Sequence, residues 1–217
     1  MRRLHKSKPL RKMSKFTAQE MFLTGSETTS SSVEWALTRA FGTNGQSESR
    51  DIKSNEPKRK FEENDIDNLP YMQVVIKELL RLHPPLPFLI PRETFKDTKF
   101  IGYDVPKGTR VLVNTWAIGR DRECWDDPMS FNPERFLGSK VDVKGQHYEL
   151  ISFGSGWRIF LCLPLGHRMM HFALGSLLHD FDWQLPEGVS PKSINVAESM
   201  GITARKRDSL KAIPIKA

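Results

Sequence analysis

The 217-residue chain is 38% hydrophobic and 27% charged, an ordinary globular balance with room for one large domain or two small ones. It has no run of 18 apolar residues, which excludes a long apolar membrane-spanning helix. Its two cysteines, Cys124 and Cys162, are too few for a disulfide framework and suit a reducing compartment. The net charge of +7 is local, because residues 1–15 hold seven basic residues and no acid, leaving 26 cations against 26 anions in the remainder.

Residues 1–15 read as a basic, disordered arm. An acid-free arm could meet an anionic membrane surface, but it is too short and too poor in Ser for a transit peptide, and nucleic acid is not expected as a partner. Residues 16–40 predict a helix with a weakened middle. Apolar Phe16, Met21, Phe22 and Leu23 precede the run Thr24-Gly-Ser-Glu-Thr-Thr-Ser-Ser-Ser32, and Val33, Trp35, Ala36 and Leu37 then resume the apolar pattern. Gly and clustered hydroxyls are poor helix formers, because hydroxyls compete for backbone hydrogen bonds. Residues 41–64, rich in Gly, Ser, Asn, Lys and Glu, read as an irregular linker.

Asp67 or Asn68 can cap a second helix with Pro70 in its first turn; Met72, Val75, Ile76, Leu79 and Leu82 recur at helical spacing, and His83-Pro84-Pro85 ends it. The stretch 98–114 predicts strands about the turn Pro106-Lys-Gly108, and 120–150 is irregular. Residues 163–181 predict a further helix, with Leu165, Met169, Phe172, Ala173 and Leu177 on one side. Short strands and loops are expected from Asp182 onward.

Taken singly, the charged constellations are ordinary. Glu78 and Arg81 are helix-surface neighbours, Glu134 and Arg135 lie in the turn Phe131-Asn-Pro-Glu-Arg-Phe136, and Thr24 with Glu27 has capping-box spacing. His167 and His171 have a zinc-compatible spacing, but Arg168 stands where a metalloprotease carries Glu, so a metal role is not expected. Gly154-Ser-Gly156 is too short a motif to argue for a phosphate loop.

In this order the pieces carry more. The hydroxyl-rich helix, Lys77-Glu-Leu-Leu-Arg81, Leu82-His-Pro-Pro-Leu-Pro87 with Pro91-Arg-Glu93, the Phe-Asn-Pro-Glu-Arg-Phe block and the loop Phe153-Gly-Ser-Gly-Trp-Arg-Ile-Phe-Leu-Cys162 closely resemble the C-terminal part of a cytochrome P-450, a haem-thiolate monooxygenase, of the plant microsomal type. The resemblance covers nearly all of 16–214 except 41–60. It implies a mainly α fold with a small β region, with 16–217 as a partial domain of that family. It further implies haem held by a cysteine thiolate, oxidation of an apolar small-molecule substrate with reduction of molecular oxygen, an NADPH-dependent reductase as partner, and an endoplasmic reticulum location on the cytosolic face, although the chain has no transmembrane segment or anchor of its own.

Residue by residue, the resemblance implies that Glu27 and Thr28 are the proton-delivery pair and that Glu78, Arg81 and Arg135 form a buried network. It implies that Phe153, Gly156, Arg158 and Arg92 contact haem, with the arginines on its propionates. It also implies that residues 86–90 and 200–203 face substrate.

The loop departs from the family pattern Phe-x-x-Gly-x-Arg-x-Cys-x-Gly. Phe160 stands in place of the ligand Cys, Cys162 in place of Gly, and Trp157 where Arg is common in relatives. A phenyl ring has no lone pair for iron. The reading is therefore a truncated, inactive relative. The alternatives are a working or complemented monooxygenase with Cys162 as its ligand, and a non-catalytic binding fragment.

Overall fold

The computed structural model describes residues 8–42 and 59–216, with side chains from Gly25 onward. Helix α1 (Lys8–Gly42) is followed by a 3-10 turn (Glu63–Asn68), α2 (Pro70–Leu82), a short α3 (Thr115–Ile118) and α4 (Leu163–Asp180). Four small antiparallel pairs complete the fold. They are β1 (Arg92–Glu93) with β4 (Arg110–Val111), β2 (Thr98–Phe100) with β3 (Tyr103–Val105), β5 (Phe181–Gln184) with β8 (Ile213–Lys216), and β6 (Glu198–Ser199) with β7 (Arg205–Lys206). The result is mainly helical with a small β region, as the resemblance implies. Among the described residues no helix is long and apolar enough to cross a membrane.

The core lies where α1, α2 and α4 meet, built on Trp35, Ile76, Leu79, Leu80, Met170 and Leu174. Pro70 opens α2 without losing a hydrogen bond, since the first amides of a helix have no internal partner. His83 closes α2 by donating its amide to the Leu79 carbonyl.

The structure bears on three expectations, and the helix expected over 16–40 is present within α1. The hydroxyl-rich middle does not interrupt α1. The Ser30, Ser32 and Thr38 hydroxyls donate to the carbonyls of Glu27, Thr28 and Glu34 on the preceding turn, so they join the helix instead of competing with it. Thr24 accordingly lies within the helix and heads no capping box.

The helix also begins at Lys8, inside the stretch expected as a disordered arm. Lys, Arg, Leu and Met propagate a helix readily, and Pro9 is tolerated in a first turn. Residues 1–7 lie outside the described residues.

Of the expected linker 41–64, residues 43–58 also lie outside them. Phe41 and Gly42 end α1, while Phe61 belongs to the core at 7% exposure. Phe61 packs so closely over Gly175 of α4 that a Cβ there would meet the ring at 2.4 Å. The linker composition hid this anchoring ring.

Candidate functional site

Glu78 and Arg81 point from the same side of α2 into a dry interior, at 0% and 1% exposure. Arg81 holds the carboxylate with two prongs, Nε to Oε2 and Nη2 to Oε1, both at 2.7 Å. The Arg135 Nε reaches Glu78 at 3.2 Å from the 3-10 turn Pro133–Phe136, and the Asn132 amide donates to the same carboxylate at 2.8 Å. Further guanidinium hydrogens go to backbone. Arg81 donates to the carbonyls of Gly119, Pro128 (2.8 Å) and Ser130 (3.1 Å), and Arg135 to those of Asp126 (2.7 Å) and Asp127 (3.3 Å). Trp125 lies beside both guanidinium groups, 5.3 and 6.0 Å from its ring centre. Two cations and one anion tied by this many hydrogen bonds can remain charged with little water around them.

A second buried constellation adjoins the first, and the sequence reading missed it. The His83 ring bridges α1 and β6. Its Nε2 accepts from Arg39 Nη2 at 2.8 Å, and its Nδ1–H donates to Glu198 Oε1 at 2.6 Å. Glu198 also accepts from Trp116 Nε1 at 2.8 Å and Arg120 Nη2 at 3.4 Å. Burial pushes His83 down to about 4, against the raising effect of Glu198, so the ring is neutral at pH 7 and its contact with Glu198 is a hydrogen bond rather than an ion pair. Burial alone would raise the Glu198 carboxyl, but the hydrogen bonds from His83 and Trp116 hold it below the usual carboxylate range. Burial lowers Arg39 and Arg120. No spacing rule could have found these partners, which stand 115 positions apart at His83 and Glu198.

The remaining expected residues are placed as follows. Glu27, partly exposed, lies 3.6 Å from Arg205 of β7, and the adjacent Thr28 gives its carbonyl to Ser32. One turn on, Ser31 donates to the Ala204 carbonyl, so this part of α1 faces the β6–β7 hairpin. Arg92 sits in β1 opposite Val111, and Arg158 ends the 3-10 turn Gly156–Arg158 on the surface; neither forms an ion pair among the described residues. A groove of about 730 Å³ runs along α1 past Gly25, Thr29 and Val33 to Met169 and Trp183, on a face that includes neither Glu27 nor Thr28.

The glycine loop folds back on itself. Gly154 and Gly156 take φ of 80° and 58°, where a side chain would strain the backbone. The Phe160 amide donates to the Phe153 carbonyl at 2.9 Å, and the two rings stack with centres 6.3 Å apart and planes within 15°. Phe160 is 42% exposed. Cys162, partly buried, caps α4 by accepting the Gly166 amide at 2.9 Å. The chemistry available at position 160 is that of a hydrocarbon ring. His167 and His171 lie on α4 with ring centres 4.3 Å apart, and His171 Nδ1 donates to the His167 carbonyl. Among the described residues no group of three or more candidate ligands surrounds them.

Comparison with known proteins gives a consistent result. A family model described as Cytochrome P450 matches residues 5–212. The chain is 72% identical over 201 residues to cytochrome P450 76A2 of Solanum melongena, aligning 91% of this chain with 40% of that protein. It is 51% identical over 215 residues to iridoid oxidase of Catharanthus roseus (93% and 41%) and 46% identical over 198 residues to geraniol 8-hydroxylase of the same plant (90% and 40%). A solved zebra fish cytochrome P450 with abiraterone superposes with a TM-score of 0.79 at 30% identity, covering 92% of this chain and 46% of that one. The chain thus spans well under half the length of the curated relatives it matches.

Proposed function

This chain belongs to the cytochrome P450 family, and we propose that it is the C-terminal part of a plant haem-thiolate monooxygenase in which Phe160 occupies the position of the axial cysteine. Haem is the family's cofactor, and the family works with a redox partner on small molecules. The observation that carries the proposal is the phenyl ring at 160, stacked on Phe153 in a loop whose Phe153, Gly156 and Arg158 otherwise keep the family pattern.

The donor set does not fit a haem-thiolate centre. Thiolate ligation supplies the electron density that favours O–O cleavage, and a hydrocarbon ring supplies none. Cys162 starts a helix, and bringing it to position 160 would break both its cap to Gly166 and the Phe160–Phe153 backbone bond. Ligation is sensitive to shifts of well under the two residues required. Other elements of a haem site are retained in this reading. Arg158 and Arg92, without an ion pair among the described residues, carry guanidinium groups suited to two-pronged pairing with propionates. Glu27 and Thr28 stand in the proton-delivery positions. Glu78, Arg81 and Arg135 lock the scaffold beneath. Residues 86–90 and 200–203 face an apolar substrate. An iridoid or a monoterpenol such as geraniol is the substrate class that the relatives' names support for the whole protein, and an NADPH-dependent reductase is its electron donor.

The test is to add haem to the purified chain, reduce it and expose it to carbon monoxide. The expected result is no thiolate-type absorption band, and such a band would overturn the reading. In the variant Phe160→Cys with Cys162→Gly the ligand is restored. Because the chain spans 40% of its relatives, the band is expected only when the remaining part of such a relative is supplied as a second chain.

A further inference from the structure

We infer that Glu198 is a positioning residue for substrate recognition: through His83, Trp116 and Arg120 it fixes the base of the β6–β7 hairpin so that its turn, residues 200–203, presents Met200 and Ile202 as part of an apolar recognition surface. This rests on the reading above that 86–90 and 200–203 face substrate.

The turn has few internal supports. β6 and β7 pair over two residues each, Glu198 with Lys206 and Ser199 with Arg205, and a two-residue ladder is not stable alone. Its geometry comes from outside. At its base, Glu198 accepts three hydrogen bonds or ion pairs, from His83 at the end of α2, Trp116 of α3 and Arg120. On the return strand, the Ala204 amide donates to the Pro85 carbonyl at 2.8 Å, and its own carbonyl accepts from Ser31 of α1 at 3.2 Å. Arg39 completes the line by donating to the far side of the His83 ring, while Trp35 stacks on its face.

Between these clamps the turn exposes apolar side chains, Met200 at 52% and Ile202 at 90%. The segment entering from Pro85 does the same with Phe88 at 42% and Ile90 at 64%. Exposed apolar groups on a rigidly tied turn are the arrangement expected of a recognition surface for a small apolar ligand. The Glu78 network beside it holds only backbone and side chains of the α2 end and the 119–135 loop, so it does not supply this tether.

The experiment compares the unmodified chain with Glu198→Ala, Glu198→Gln and the double variant Met200→Ser with Ile202→Ser. The readouts are amide hydrogen exchange and titration with the neutral apolar dye N-phenyl-1-naphthylamine. Glu198→Ala is expected to speed exchange of the amides at 200–204 by about tenfold or more while leaving α2 and α4 protected. It should also weaken dye binding about threefold to tenfold. Glu198→Gln keeps an acceptor for the His83 Nδ1–H and should recover most of both. The serine variant should weaken the dye equally without changing exchange. Unchanged exchange in Glu198→Ala, or equal loosening of α2 and α4, overturns the tether. Faster hairpin exchange with dye affinity unchanged in the serine variant overturns the recognition role and the substrate-facing reading, while leaving the reading of Phe160 untouched.

Discussion

Trp35 of α1 lies flat against His83 at the end of α2, ring centres 3.8 Å apart and planes within 6°. The contact joins the apolar core to the polar line that runs from Arg39 through His83 to Glu198. It also excludes water from one face of the imidazole, and this helps keep the ring neutral. The consequence is a measurable dependence of stability on pH.

The groups facing His83 are Arg39, Arg120 and Glu198, with Arg39 and Arg120 opposing a proton on the ring and Glu198 favouring it. Its value of about 4 in the fold compares with 6.5 for a free imidazole, and burial brings His167 to about 4 as well. Below pH 6.5 the unfolded chain therefore binds more protons than the folded one. The stability these rings support is present above pH 6.5 and is lost as pH falls through 4. Urea unfolding followed by Trp fluorescence should show a falling midpoint between pH 7 and pH 4, with a shallower fall in His83→Gln.

Removing Glu78 leaves Arg81 and Arg135 facing each other in the interior. Glu78→Ala should destabilise the chain by about 3–5 kcal/mol, the usual result of breaking a buried charged network on one side. Chemical denaturation measures it, and an effect below about 1 kcal/mol would mean that the backbone carbonyls alone hold the two arginines.

Gly175 is the seat of the Phe61 ring. Gly175→Ala improves helix propensity yet places a methyl group against the ring, and overpacking of this kind costs about 1–3 kcal/mol. Thermal unfolding should show a lower midpoint. Phe61→Leu added to Gly175→Ala should recover part of the loss, a coupling that unrelated sites would not show.

At Gly119 a Cβ would lie 2.2 Å from the Arg81 carbonyl oxygen, although the backbone there is ordinary right-handed helix. Gly119→Ala should therefore loosen the end of α2 and the Arg81 contact with the Gly119 carbonyl together. Faster exchange of the amides at 81–83, with those of α4 unchanged, would show it.

The sequence by itself was most legible where physics is local. The apolar period of α2 and α4, the Pro and Gly punctuation of the small strands, and the ordered run of motifs that identified the family were all readable, because each depends on neighbours within a few positions. The same text made plain that position 160 carries no thiol. What only the tertiary structure decided are the long-range partners. Phe61 became a core residue because a glycine 114 positions later makes room for it. The Ser31 hydroxyl of α1 found its acceptor at the Ala204 carbonyl, 173 positions away. His83, read as the end of a helix, became the link between Arg39 and Glu198. Burial and hydrogen bonding at that ring come from segments far apart in the chain, and one-dimensional spacing carries no trace of such an encounter.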